Sequence, residues 1–178
     1  MGHSKKTDWI YINILGGVAV IGSYVYGFLT HPNASDVLWG GVPAGFRPFY
    51  TAGMVLAAVG YLVLSFFLLR LDEHETKIAG RFGFGLFNIL YLVILIASAL
   101  WMPLTLAAIG NASSILAGLV KIDLAVVAAG ALGLFYALWN IQPRHSALSH
   151  LIMLLACIGF CLQTVILDAI VWAFFFRV

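Results

Sequence analysis

The chain has 178 residues, of which 63% are hydrophobic and 9% charged, with a mean hydropathy of +1.05. A soluble domain carries roughly 25% charged residues, so this chain has too few polar groups to cover a water-facing surface and is expected in a lipid bilayer. The net charge of +2, spread over loop edges rather than massed in a block, gives no support to nucleic-acid binding.

Residues 1–8 form a short basic head with Lys5 and Lys6. Residues 9–30 read as a first spanning helix, at about 20 residues per crossing. That run is too long for a signal peptide and no A-x-A cleavage site follows it. Residues 31–48, HPNASDVLWGGVPAGFRP, are rich in glycine and proline, which rules out a regular helix. Leu38, Trp39, Val42 and Phe46 are apolar enough to lay this loop on the bundle.

Residues 49–69 are the second helix, followed by a charged connector, RLDEHETKIAGR, expected to be solvated. The third helix covers 84–107 and is expected to be broken near its end by Pro103; the fourth covers 115–139 and the fifth 149–176. The fold class expected is all-α: one transmembrane domain over residues 1–178, a polytopic five-helix bundle. The loops predicted inside carry Lys5, Lys6, Arg70, Lys77, Arg81 and Arg144, against Arg47 and Arg177 outside. That asymmetry predicts the N-terminus in and the C-terminus out. The sequons at Asn33 and Asn111 then lie outside, where glycosylation needs a eukaryotic secretory setting.

Stripes of small and polar residues at 3–4 spacing mark the protein-facing side of each helix. They are Asn13, Gly16, Val20, Ser23 and Gly27 in the first, and Asn88, Tyr91, Leu95, Ser98, Met102 and Thr105 in the third. Cys157, Cys161, Thr164 and Asp168 form the stripe of the fifth. In the fourth helix Lys121 heads a ridge of Ala125, Ala129, Gly133 and Ala137, so it is expected to point at another helix. Asp123 then lies on roughly the opposite side.

Intramembrane charges are functional sites by default. Lys121 lies about 9 Å, and Asp168 about 12 Å, below the outer ends of their helices at 1.5 Å per residue. A shared polar chamber in the outer half of the bundle is therefore expected. A structural ion pair, or a lysine snorkelling outward, accounts for the same pattern. Tyr24, Tyr50, Thr51, Ser98, Trp101, Thr105 and Thr164 sit at that level, though an ordinary aromatic belt explains some of them. Pro103 is expected to bend the third helix and open space, and the first loop to act as a lid.

The histidines His3, His31, His74, His145 and His150 share no depth within the helices and show no zinc-type spacing, so no metal site is expected. Cys157 and Cys161, one turn apart, read as core residues rather than a disulfide or redox pair. No catalytic set is visible, which ranks an intramembrane enzyme last.

The order of parts resembles the TspO/translocator family: five helices, a long first loop, ALWMPLT with Trp101 and Pro103 in the third helix, and VPAGFRPFY in the loop. The W…LY signature of that family's second helix is absent, and Lys121 and Asp168 match nothing in its pattern. The resemblance implies a tetrapyrrole, sterol or similar lipid as ligand.

The expected function is binding or transport of a small lipophilic or amphipathic molecule. Lys121 would meet an anionic group, and Trp101 and Tyr24 an apolar body. The alternatives are a proton- or ion-coupled carrier titrating Asp168 and Asp123, and a non-catalytic subunit of a larger membrane complex. Self-association is left open.

Overall fold

A computed structural model of the protein describes residues 4–144 and 146–178, so His3 and His145 lie outside the described residues. Among the described residues, five helices are long and apolar enough to cross a membrane. The chain runs α1 (Lys5–Thr30), a short α2 (Ala34–Val37), a 3₁₀ turn (Ala44–Phe46) and α3 (Arg47–Arg70). It continues through β1 (Lys77–Ile78), β2 (Phe82–Gly83), α4 (Gly85–Gly110), α5 (Ser114–Trp139) and β3 (Ile141–Gln142). The last span is α6 (Ala147–Cys161), a π-helical stretch (Leu162–Trp172) and α7 (Ala173–Phe175).

The starts of these helices follow from their capping residues. Ser4, Ser113 and Ser146 each turn a hydroxyl back to accept from the backbone N–H of Thr7, Leu116 and Ser149, all at 3.3 Å. Pro48 occupies the first turn of α3, where its missing N–H has no helical partner to lose. Pro103 does not break its helix as expected: it sits within α4, which continues past it to Gly110, beyond the expected end at 107, because a proline removes only one backbone donor.

Glycines set the helix contacts. In the parallel pair α1 and α4, a Cβ on Gly16 would stand 2.7 Å from Leu95 and one on Gly27 2.8 Å from Met102, so the expected α1 stripe is where the two meet. The antiparallel α5 packs on α4 through Gly130 and Gly133, each 2.6 Å by the same measure from Ile94 and Leu90. Across the bundle α3 packs on the last span, with Gly60 against the Ala156 carbonyl. Small residues permit such close backbone approach, the main source of helix association in lipid.

At one end, here the sheet end, β1 lies between β2 and β3, antiparallel to both. This corrects the expectation of a solvated connector. Leu71, Thr76, Ile78 and Phe84 are buried, as is Ile141 from the α5–α6 turn. The pairing gives the connector's backbone groups partners and ties it to that turn. The Lys6 N–H donates to Glu73 Oε2 at 2.6 Å. That donor, with the Ser4 hydroxyl, holds the Glu73 carboxyl below the usual range.

At the opposite loop end, residues 31–46 fold over the bundle, and they contain two short helical turns where none was expected. Trp172 Nε1 donates to the Leu38 carbonyl at 2.8 Å. Trp39 meets Tyr50 edge-on at 6.1 Å. Gly40, at φ +57°, takes a left-handed turn against Phe176 that a side chain would strain.

Candidate functional site: a polar layer near the loop end

All five spans contribute to one layer. Tyr24 of α1 stacks on Trp101 of α4 at 5.8 Å, and Trp101 meets Trp172 of the last span edge-on at 5.6 Å. Tyr50 of α3 donates its hydroxyl to the Leu167 carbonyl at 2.7 Å. Asp168 lies within electrostatic reach of both the Tyr24 and Tyr50 phenols. The antiparallel register fixed by Gly130–Ile94 and Gly133–Leu90 brings Asp123 of α5 level with Trp101.

The π-helical stretch positions the acid. Residues five apart on an α-helix point about 140° away from each other. The wider i→i+5 turn returns them to one side. Gln163 Nε2 accordingly donates to Asp168 Oδ1 at 2.7 Å. Gly53 of α3 makes room for this pair, since a Cβ there would run into Gln163 Oε1 and stand 2.7 Å from Leu167 Cδ1.

Polar atoms in and beside the layer are buried without a hydrogen-bond partner: Trp101 Nε1, Thr105 Oγ1, Asp123 Oδ2 and Gln163 Oε1. Such groups are uncommon in folded proteins and ask for an explanation, a bound molecule or water among them. Other hydroxyls are spent within their own helices. Thr164 donates to the Phe160 carbonyl and Thr51 to that of Arg47, both at 3.0 Å. Ser98 is half-buried and Thr51 exposed.

Lys121 departs from its sequence expectation. It is exposed on α5, as are Ala125 and Ala129, while Asp123 is buried. The reason is geometric. A ridge of i, i+4 steps drifts about 40° per step, so from Lys121 to Ala137 it travels about 160° around the helix. Ala137 is fully buried against the bundle and Lys121 is turned out. Among the described residues Lys121 forms no ion pair, and Asp168 is held by Gln163 instead. Sequence reading also missed Gln163 and Trp172. A Gln five positions before an Asp carries no signal until the helix is known to widen.

A second polar network ties the sheet half. Tyr61 donates to Asn13 Oδ1, and Asn13 Nδ2 donates to the Trp9 carbonyl at 2.8 Å. The Tyr91 ring meets Trp9 at 5.3 Å and Tyr61 at 5.5 Å. Asn88 Nδ2 donates to the Lys5 carbonyl at 2.9 Å. No group of three or more metal-ligating side chains occurs among the described residues.

These features define a class: a multi-pass integral membrane protein, an all-α bundle with five apolar spans. Comparison with family models, with curated proteins and with solved structures finds no match to this chain.

Proposed function

We propose that the protein binds or carries a small amphipathic molecule in the layer formed by Tyr24, Tyr50, Trp101, Asp123 and Asp168. The observation that carries this reading is the set of buried, unpartnered polar atoms on Trp101, Thr105, Asp123 and Gln163. Aromatic walls with a few convergent polar groups are the usual make-up of a small-molecule site. A ligand there would lie beneath the folded residues 31–46, which serve as its cover. By the positive-inside rule this end faces out.

The resemblance to the TspO/translocator family contributes a ligand class, tetrapyrroles, sterols or related lipids, and rests on Trp101 and Pro103. Of the two, Trp101 lines the layer and Pro103 is exposed. Native mass spectrometry of the gently solubilised full chain tests the reading. A co-purified small molecule, lost on Trp101→Ala, is the expected result. A bare chain that takes up none of these ligand classes when they are added would reject it.

Asp123 favours a second reading, a proton-coupled carrier. A carboxylate buried in a bilayer without a partner has to be matched by a proton or another positive charge. Proton flux in reconstituted vesicles that Asp123→Asn abolishes would support it, and flux unchanged by that substitution would remove it.

A further inference from the structure

The sequence points to an anionic ligand meeting Lys121, but the side chains facing the layer reverse the sign. Asp168 is the acid beside Tyr24 and Tyr50, and Asp123 is buried in α5 at the level of Trp101, while Lys121 is exposed on the far side of α5. Two arginines lie at the loop end, Arg177 beside Phe176 and Arg47 at the start of α3. The Arg47 guanidinium lies over the Trp39 ring, 5.3 Å from the centroid, and neither arginine forms an ion pair among the described residues.

Gln163 spends its amide N–H on Asp168, which leaves Oε1 as a buried acceptor without a donor. Tyr24, the phenol near Asp168, begins a row of rings that continues through Trp101 to Trp172, with centroids 5.6–5.8 Å apart in successive pairs. Aromatic faces attract a cation within about 6 Å, most strongly where water is excluded. Trp101 Nε1–H is left for a hydroxyl, an ether or a water beside the ligand body. A lone inorganic cation would instead want a cage of oxygens, which rings do not supply.

We infer that the charged end of the ligand is an organic cation, an ammonium or similar onium group, held by Asp168 and Gln163 Oε1 against the faces of Tyr24 and Trp101. This rests on the ligand-binding reading above and adds the sign of the charge. A positive head meets the half-buried Asp168 carboxylate, and an apolar body meets the rings.

Two lipophilic ions of the same size and shape, tetraphenylphosphonium and tetraphenylborate, test the sign. Each is titrated onto the full chain in lipid nanodiscs, with empty nanodiscs as the partition control and tetraphenylmethane as the neutral analogue. The expected result is saturable binding of the phosphonium that the borate does not compete away. Asp168→Asn, which keeps an acceptor for Gln163, should weaken it at least tenfold, as loss of about 1.4 kcal/mol or more would. Lys121→Met should leave it unchanged.

Saturable borate binding in preference to phosphonium, weakened by Trp101→Leu, would overturn the sign while keeping the site. Saturable binding of none of the three probes would count against the ligand-binding reading itself. The comparison of ions on the unmodified chain stands even if Asp168→Asn fails to fold.

Discussion

Gln163 and Asp168 are joined side chain to side chain at 2.7 Å across five residues of one helix. The bond exists because residues Leu162–Trp172 wind with a π-helical turn. It fixes the direction of the acid in the loop half of the bundle, and π segments recur at functional sites.

Gly53 is the residue that admits this pair. Gly53→Ala should destabilise the protein by about 1–3 kcal/mol, the usual cost of forcing an extra group into a packed interior. The new methyl would meet Gln163 and Leu167. Gly17→Ala, where a Cβ meets nothing within 4 Å, should stay within about 1 kcal/mol of the parent. Thermal unfolding of both variants in the same detergent checks the contrast.

Trp172 pins the loop end through its bond to Leu38. Trp172→Phe keeps a ring but leaves the Leu38 carbonyl without its donor, at a cost of about 1–3 kcal/mol. The loss should show in the loop. Limited proteolysis within residues 31–46 should speed up severalfold, while cleavage in residues 71–84 stays at the parent rate.

Much of this architecture is legible in the sequence, because twenty-residue apolar runs separated by polar loops leave little choice. The facing of α5 was not legible. That helix is apolar almost all round, so its pattern does not single out a buried side. The choice was made by Gly130 and Gly133, which fit Ile94 and Leu90, and it carried Lys121 outward. Counting residues from the helix ends sets Lys121 and Asp168 at one level, but depth along a helix says nothing of the side on which a residue lies, and Lys121 is exposed. Gln163 was missed because that count assumes a uniform α-helix. The two-residue strands at the sheet end are too short to leave any periodicity.

Glu73 makes the sheet end sensitive to acid. Its folded carboxyl titrates below the ordinary value of about 4.3 because the ionised form accepts from the Lys6 N–H and the Ser4 hydroxyl. The stabilisation is therefore fully present above the ordinary value and is lost as pH falls through the lowered one. The Lys6 amide resonance should titrate with a midpoint below about 4.3. Glu73→Gln should remove that step.

Tyr61 and Asn13 join α3 to α1, a helix that otherwise rests mainly on α4. Tyr61→Phe should cost about 0.6 kcal/mol and no more than about 1.7, the measured span for hydrogen bonds between membrane helices. Asn13→Ala made in the Tyr61→Phe background should cost less than it does alone. Equal costs in the two backgrounds would deny the bond.

The functional account turns on a ligand occupying the layer of Tyr24, Tyr50, Trp101, Asp123 and Asp168. Crystallographic density for the full chain purified in lipid without harsh detergent tests it most directly. The account predicts non-protein density within hydrogen-bonding distance of Trp101 Nε1 or Asp168, flanked by the Tyr24 ring. No non-protein density beside Trp101 or Asp168, with Trp101 Nε1 and the Asp123 and Gln163 oxygens satisfied by protein groups alone, would contradict it.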